Sequence, residues 1–451
     1  MSARLSSAYH RLFAASTISN LGDGIGTIAY PWLASAITRD PLLVALVVVV
    51  QRLPWLLLTI PAGVITDRYD RRLLLISTNS LRAVLTGGVA LMVAWRGGLL
   101  PGPDAVAAGE SAAEFDLALY LVVLLATFLL GSAEVLYDNT AQTFLPSVVE
   151  EPALEKANGR LWAAELVANT LVGPVLGAAL LVISFSVPFA VDAATFGLSA
   201  ALIATIASRS VRRPSSPAAA PDGSAAERPS WRAELLTGVR WLWAHPLLRP
   251  LAVILGALNL LGTMTTSALV LYGQEVLDTS PTEFAILGTG GALGGVLGGW
   301  LSPMVSRRLG PGPSLWLTLV AGGITNIVVG LTSWWPLAWA MFAVFMFVAV
   351  LWNVITVSLR QAIIPDELLG RVNSVYRFFA WGAMPLGALA GGVLIAGADL
   401  MVDRELALRV PWLVGGVLQI VLLVPAAPRL TTARIEAARA DAEAEGENTT
   451  G

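Results

Sequence analysis

The 451-residue chain is too apolar and too weakly charged to be an ordinary soluble protein, and its net charge of -3 says little by itself. Hydrophobic residues make up 56% of it and charged residues 13%, whereas a soluble domain has roughly 25% charged residues. Cysteine is absent and there are two histidines, which excludes disulfides and leaves little for a metal centre. We therefore expect neither a metal site nor a cofactor.

Twelve apolar runs of membrane-crossing length follow one another along the chain. A hydrocarbon core of roughly 30 Å requires about 20 helical residues, and such segments form helices because unpaired backbone groups are costly in lipid. The sequence predicts an all-α integral membrane protein with spans at 12–37, 42–66, 73–95, 117–138, 157–182, 187–208, 247–272, 283–306, 314–333, 336–359, 371–397 and 408–427.

Arginine and lysine are concentrated in alternate connecting segments, and the opposite segments hold only Arg39, Arg96, Arg404 and Arg409. Because cytoplasmic loops carry the excess of positive residues, we expect both termini in the cytoplasm of a multi-pass protein of the bacterial plasma membrane. The first residues lack the apolar core and cleavage site of a signal peptide, which agrees with a cytoplasmic start.

A polar stretch rich in Pro, Ser and Ala, at 209–230, divides the spans six and six and reads as a flexible linker. After it, four apolar residues share one helical face, which predicts an amphipathic helix on the membrane surface; they are Trp231, Leu235, Val239 and Trp243. The acidic tail is expected to be disordered beyond Arg439. The predicted parts are two six-helix halves at 1–208 and 246–428, a linker region at 209–245 and a cytoplasmic tail at 429–451.

The two halves are related by an internal repeat. Gly63, Arg71 and Arg72 align without a gap with Gly299, Arg307 and Arg308, and QTFLP after span 4 matches QAIIP after span 10. Parallel repeats related by an axis along the membrane normal are a known transporter plan, so we expect two pseudo-symmetric six-helix halves.

The loop GVITDRYDRR, from Gly63 to Arg72, resembles the signature loop of the major facilitator superfamily, and IIPDELLGRVNSVYR is similar to its branch of enterobactin exporters and macrolide efflux pumps. Asp70 replaces the usual glycine, and the second copy has Pro303 where the first has Asp67. The resemblance implies a monomeric secondary transporter that exports an amphipathic small molecule, such as a drug, a macrolide or a siderophore-like compound, in exchange for protons.

The signature residues are candidates for an inner gate. Gly63 would allow close helix packing, and the resemblance implies that Asp67 meets the positive end of helix 11 near Arg371. Ion pairs are expected between the arginines of the loop (Arg68, Arg71 and Arg72) and the acids at the predicted end of span 4 (Glu134 and Asp138). The alternative is that these arginines only set the topology.

Charged side chains inside spans are costly and are functional candidates by default. Asp23, flanked by glycines in span 1, is a candidate proton carrier that would switch against Arg52 or Arg82. A fixed ion pair and a substrate contact are the alternatives. Further candidates are Glu165 and Arg377, for cavity lining or gate pairing, and Asp192, which lies near the predicted outer end of span 6, where hydration alone would explain it.

Neutral polar and aromatic residues also mark a possible cavity for an amphipathic substrate, although each alone is more often helix packing; they are Asn20, Tyr30, Asn169, Asn259, Asn353, Tyr376 and Trp381. The motifs HExxH, GxSxG and GK[ST] are absent, so we expect neither an enzyme nor nucleotide hydrolysis, and no nucleic-acid partner. A transporter-like sensor or a lipid scramblase remains the alternative function.

Overall fold

The computed structural model describes residues 6–150, 153–206 and 231–450, and the predicted linker at 209–230 lies outside them. The chain divides into two compact units. Unit 1 comprises Met1–Ala226 with Gly273–Gly288, and unit 2 comprises Glu227–Tyr272 with Thr289–Gly451. The described secondary structure is helical in both units, as the sequence predicts.

Eight helices in the first part of the chain build most of unit 1. They are α1 (Ser7–Ile37), α2 (Pro41–Arg68), α3 (Arg71–Arg96), α4 (Pro103–Ala107), α5 (Leu117–Val148), α6 (Leu154–Glu165), α7 (Gly173–Ile183) and α8 (Ser186–Ala204). A π-helical segment, Leu166–Val172, joins α6 to α7, so span 5 is one helix with a widened turn in its middle.

The remaining helices follow the linker. They are α9 (Trp231–Ala244), α10 (Leu248–Thr266), α11 (Leu269–Glu275), α12 (Pro281–Leu309), α13 (Pro311–Leu331), α14 (Trp335–Ile363), α15 (Asp366–Ala398), α16 (Arg404–Val421), α17 (Leu423–Ala426) and α18 (Thr432–Thr450). Span 7 is therefore interrupted between α10 and α11, and α9 occupies the place of the predicted surface helix.

Among the described residues, eleven helical segments are long and apolar enough to cross a membrane. The first predicted span is not among them, although α1 is 31 residues long. Its serines and glycines lower its hydropathy, but the helix packs inside unit 1 and its second half is almost entirely buried. With α1 included, the count agrees with the twelve predicted spans.

Short polar residues fix where the long helices of unit 1 begin. Asp40, Asp70 and Asp116 each stand before a helix and accept a hydrogen bond from a backbone N–H of its first turn. Such caps satisfy donors that have no partner inside the helix. Asp70, the departure from the signature loop, therefore has a local structural role as the N-cap of α3.

Glycines let α1 approach two neighbouring helices closely. A Cβ added at Gly24 would lie 2.8 Å from the carbonyl oxygens of Ala168 and Asn169, in the π-helical segment. A Cβ at Gly22 would collide with Thr195 and Asp192 of α8. The glycines around Asp23 thus serve helix packing.

The predicted disorder of the tail beyond Arg439 is wrong, because this segment is helical. Residues beyond Arg439 continue the helix α18, whose first turns are anchored on unit 2 by the fully buried Ile435. Leu430 and Ile435 belong to the apolar core that also holds Leu315 and Leu359. The many alanines and glutamates of this segment are strong helix formers, and burial of the first turn supplies the nucleus that composition alone does not reveal.

Candidate functional site

The centre of unit 1 contains a buried ion pair between Asp23 of α1 and Arg82 of α3. The Arg82 side chain is only 3% exposed, whereas that of Asp23 is 26% exposed. Arg82 also donates to Ser19 Oγ at 3.3 Å, and its guanidinium carbon lies 4.0 Å from the ring centroid of Phe196. Carboxylate, hydroxyl and aromatic face together offset the cost of burying the arginine.

Arg82, and not Arg52, is therefore the partner of Asp23. Arg52 is not among the residues that line the space around the ion pair, whereas its neighbour Gln51 is. Adjacent residues on a helix differ by about 100° in direction, so only one of these two side chains points towards Asp23. Of the two partners left open by the sequence, the structure selects the arginine of span 3.

Asp192 of α8 belongs to the same site, which corrects its predicted position near the hydrated end of span 6. It is 3% exposed, and its carboxylate oxygens lie against the glycine face of α1 at Gly22 and Gly26. Thr195 Oγ1 is 3.5 Å from one of these oxygens. Packing of α8 onto a face of α1 that has no side chains buries this acid.

A small polar chamber surrounds these groups. Its volume is about 50 Å³, and its polar lining comprises Asp23, Thr27, Tyr30, Gln51, Arg82, Thr127, Glu134 and Asp192. Three buried polar atoms in or beside the chamber have no hydrogen-bond partner among the described residues. They are Tyr30 Oη, Thr86 Oγ1 and Arg82 Nε. Buried polar atoms normally bond to protein or water, and a volume of this size admits one or two water molecules.

A hydrogen-bonded bridge below the ion pair ties three helices together. Asn79 donates to Ser199 Oγ of α8 at 2.9 Å, and Ser19 Oγ of α1 lies 3.5 Å from Asn79 Oδ1. Because Ser19 also accepts from Arg82, the position of the arginine depends on α1, α3 and α8 at once.

Span 4 ends later than predicted, which changes the position of Glu134. Helix α5 runs on to Val148, so Glu134 stands in the middle of the helix and lines the chamber. Pro146, which suggested a loop, lies inside the last turn of α5. Sequence reasoning therefore placed this acid at the gate, although its depth in a longer helix would have placed it beside Asp23.

A second, larger cavity of about 390 Å³ lies between α1, α5 and α6. Asp138 and Glu165 line it, together with Asn20, Gln142 and Trp162. Tyr137 lines the larger cavity, and its ring centroid is 5.8 Å from the guanidinium carbon of Arg82, which lines the chamber. Of the two roles predicted for Glu165, cavity lining and gate pairing, this structure shows cavity lining.

The signature arginines contact backbone carbonyls and not the predicted acids. Arg71 donates to the carbonyl of Thr143 at 3.0 Å, and Arg72 donates to the carbonyl of Ala204 at the end of α8. The Arg72 contact satisfies the last carbonyl of α8. Glu134 and Asp138 lie deeper in α5 than the predicted helix end placed them. Arg68 is exposed.

Two further gate expectations concern the close packing of Gly63 and the contact between Asp67 and Arg371. An added Cβ at Gly63 would have no described atom within 4 Å, so Gly63 makes no close helix contact here. The side chains of Asp67, Arg371 and Arg377 lie outside the described residues, and their gate roles stay predictions.

Unit 2 has a buried pair of amides on the helices that correspond to α3 and α8 of unit 1. Asn326 of α13 donates to Gln419 Oε1 of α16 at 2.9 Å, and both side chains are buried. In the repeat this helix pair corresponds to α3 and α8, which hold Arg82 and Asp192. A cavity of about 170 Å³ in unit 2 is lined by Asn259, Asn353 and Gln419, among others, as the sequence suggested for the two asparagines.

These features define a polytopic helical membrane protein with a charged interior in one of two repeated units. The sequence model of the Major Facilitator Superfamily matches residues 12–388 of this chain, and the chain belongs to this family. It is a membrane transporter, as the signature loop indicated.

The chain is similar to efflux proteins along most of its length. Multidrug efflux pump Tap of Mycolicibacterium fortuitum is 27% identical over 430 residues, which cover 91% of this chain and 94% of that protein. Enterobactin exporter EntS of Shigella boydii serotype 4 is 25% identical over 401 residues, covering 87% and 86% of the two chains.

Solved structures agree on the fold. A bacterial homologue of the iron transporter ferroportin in an inward-facing state matches with a TM-score of 0.69 at 18% identity, covering 94% of this chain and all of that one (100%). A bacterial homologue of the human lysosomal transporter Spinster matches with a TM-score of 0.66 at 17% identity over 96% of both chains.

Proposed function

We propose that this transporter exports amphipathic small molecules in exchange for protons, by alternating access. The observation that carries the proposal is the Asp23–Arg82 ion pair inside a polar chamber of unit 1. A charge in a membrane helix costs at least ~2.5 kcal/mol on insertion scales and is retained where it has a function. A pair with nearby water-sized space has access to protons that a pair sealed in a dry core lacks.

The chamber and the larger cavity of unit 1 differ in size, and we assign them different roles for that reason. A drug-sized site occupies roughly 300–1,000 Å³, so the chamber of about 50 Å³ is too small for the cargo and takes protons and water. The cavity of about 390 Å³ is of the right size to receive part of a cargo. Tyr137, which lines the larger cavity and lies 5.8 Å from the guanidinium carbon of Arg82 in the chamber, couples them.

Proton binding changes the contact between α1 and α3. A proton that leaves water and binds Asp23 Oδ makes a neutral acid, which removes the Coulomb attraction to Arg82. Arg82 then faces the remaining acids of the chamber, Asp192 and Glu134. Its shift, transmitted through Tyr137, alters the wall of the larger cavity and favours cargo release.

The larger cavity favours a cationic amphipathic cargo. Trp162 and Leu161 supply an apolar wall, and Asp138 and Glu165 supply carboxylates that oppose an anion. The names of the relatives, a multidrug efflux pump and an enterobactin exporter, support efflux of small molecules. Between these two classes, the lining favours a drug or macrolide that carries an amine over an acidic siderophore.

The remaining assignments follow from the family and the arginine pattern. Both termini face the cytoplasm of the bacterial inner membrane, and the transporter works as a monomer. The signature loop forms the inner gate through Asp67 and Arg371. An Asp67→Asn variant is expected to insert normally and to transport poorly, and normal transport by it would remove the gate assignment.

The decisive experiment compares Asp23→Asn with Asp104→Asn. Asp104 is exposed in α4, so the second variant makes the same chemical change away from the chamber. In a bacterial host without its own efflux pumps, wild type and Asp104→Asn are expected to raise resistance to a cationic macrolide or dye, and Asp23→Asn is not. In proteoliposomes, an imposed pH gradient should drive cargo movement by wild type and by Asp104→Asn, and not by Asp23→Asn.

Gradient-driven transport that is undiminished in Asp23→Asn would overturn proton coupling at this site and leave the fixed ion pair. Counterflow without any response to the gradient would indicate uncoupled transport. No movement of any member of a broad cationic and anionic panel by wild type would contradict the exporter proposal in favour of a sensor.

A further inference from the structure

Unit 1 has a third and larger groove that neither the ion pair nor the cargo cavity uses. It lies between α1 and the α6–π segment, on the side of these helices opposite the cavity of Asp138 and Glu165. Its volume is about 690 Å³. None of its lining residues is acidic, whereas the cavity on the other side is lined by two acids.

Small residues on the α6–π segment make this groove. Ala163, Ala164 and Ala168 line one wall, and larger apolar side chains of α1, such as Phe13 and Leu21, line the other. The alanines leave room that a longer side chain would fill. The wide π-helical turn extends the apolar wall to Val172, at the depth where Gly24 packs on the backbone of Ala168.

The polarity of the groove changes along its length. At the end where α1 begins, it is bordered by His10 and Arg160, both of which are exposed. His10 Nδ1 is hydrogen-bonded to the carbonyl oxygen of Ser6 at 2.8 Å, which orients the ring. Tyr9 Oη donates to the carbonyl of Ala157 at 3.2 Å and ties α1 to α6 beneath this basic mouth.

We propose that this groove binds an anionic phospholipid, with its phosphate at Arg160 and His10 and an acyl chain along the alanine wall. A basic mouth above a long apolar channel matches the two parts of such a lipid. Arginine binds phosphate through charge-assisted hydrogen bonds that are stronger than neutral ones, and basic pockets between membrane helices recognise anionic headgroups. The predicted orientation places the mouth in the cytoplasmic leaflet.

The site is distinct from cargo binding in its chemistry. Anionic headgroups are attracted to Arg160, while the carboxylates of Asp138 and Glu165 on the other side of α6 oppose them. The bound lipid occupies the face of α6 and the π-helical segment next to the contact with Gly24, so it supports the segment that packs against the residues around Asp23. The proposal rests on this groove alone and does not depend on proton coupling.

Native mass spectrometry of the purified full-length protein in detergent tests the proposal. The probes are phosphatidylglycerol and phosphatidylcholine with identical acyl chains, added at equal concentration. Wild type is expected to retain phosphatidylglycerol about tenfold better than phosphatidylcholine, because the choline cation of phosphatidylcholine offsets the attraction of its phosphate to Arg160 and His10. Arg160→Ala should reduce this preference to about twofold or less, and Ala164→Trp should reduce retention of both lipids.

Matched controls separate the groove from the general charge and surface of the protein. Arg249→Ala removes an exposed arginine of unit 2, and Ala179→Trp enlarges an exposed alanine of α7; both should behave as wild type. Thermal unfolding identifies any variant that is misfolded, and Ala163→Leu then replaces Ala164→Trp as the filling variant. Soluble glycerol 1-phosphate should not displace the bound lipid, since it lacks the acyl chain.

Three results would overturn the proposal. Equal retention of the two lipids would mean that the groove is covered non-specifically, and unchanged selectivity in Arg160→Ala would place the headgroup elsewhere. Displacement by glycerol 1-phosphate would reduce the site to an anion contact without an acyl channel.

Discussion

The corresponding helix pairs of the two units solve the same packing problem with different chemistry. In unit 1, α3 and α8 bury Arg82 and Asp192 beside Asp23 of α1. In unit 2, α13 and α16 bury the neutral pair Asn326 and Gln419. Among the described residues of unit 2, no buried polar side chain is charged. Helix packing therefore needs only polar contacts here, and the charges of unit 1 require a different reason, for which we propose proton coupling.

The largest expected effect is that of removing Arg82. Arg82→Ala leaves the partly buried Asp23 and the buried Asp192 without their cation, and removal of one partner from a buried pair costs up to about 3–5 kcal/mol. The loss should appear as a large fall in the thermal unfolding temperature of the purified protein. The double variant Asp23→Asn/Arg82→Gln should regain part of it, because Asp23 then no longer carries an unpaired charge; a single variant as stable as wild type would make the ion pair irrelevant to folding.

The next effect tests what the two units share, which is close glycine packing. Gly24→Ala and Gly416→Ala each place a Cβ within 3 Å of a backbone atom of a neighbouring helix, and overpacking of this kind costs about 1–3 kcal/mol. Gly88→Ala, where no atom lies within 4 Å, is the control and should not lose stability. If Gly88→Ala is as damaging as the other two, helix flexibility rather than close packing decides the outcome.

A smaller effect is expected at the amide pair of unit 2. Gln419→Leu leaves Asn326 buried and unsatisfied, which costs about 1–3 kcal/mol, whereas the double change Asn326→Leu/Gln419→Leu should be nearly neutral. Transport by the double variant should persist if coupling resides in unit 1. Loss of gradient-driven transport in a stable double variant would break the comparison between the units.

The smallest effect is expected for a surface ion pair. Arg404 and Asp399 are 3.0 Å apart, with side chains 30% and 33% exposed. Arg404→Ala should cost about 0.2–1 kcal/mol, since exposed pairs are screened by solvent. A loss comparable with that of Arg82→Ala, measured under the same conditions, would show that burial does not control the energy of ion pairs in this protein.

Much of the fold follows from local sequence properties. Apolar runs, the arginine bias and the repeated loop predict the spans, the two halves and the family, because membrane insertion depends on the length and hydropathy of each segment. Asp23 and Arg82 stand out for the same reason, since a charge within an apolar run is visible without any knowledge of packing.

The site itself required the tertiary structure. Sequence position made Asp192 a hydrated residue and Glu134 a gate residue, yet helix length and the glycine face of α1 bring both to the chamber. The choice of Arg82 over Arg52 depends on which direction each side chain points in the packed unit. Tyr30 was a candidate cavity residue, but its place beside the ion pair depends on which helices pack together.

The sequence by itself determined that this chain is a two-unit helical membrane transporter with charges in its first half, because each of those facts depends on one segment at a time. Only the tertiary structure decided which charges meet, that Tyr137 of the larger cavity lies close to Arg82 of the chamber, and that an alanine wall lines a groove with a basic mouth. These depend on contacts between helices distant in sequence, which are set by side-chain size at each crossing.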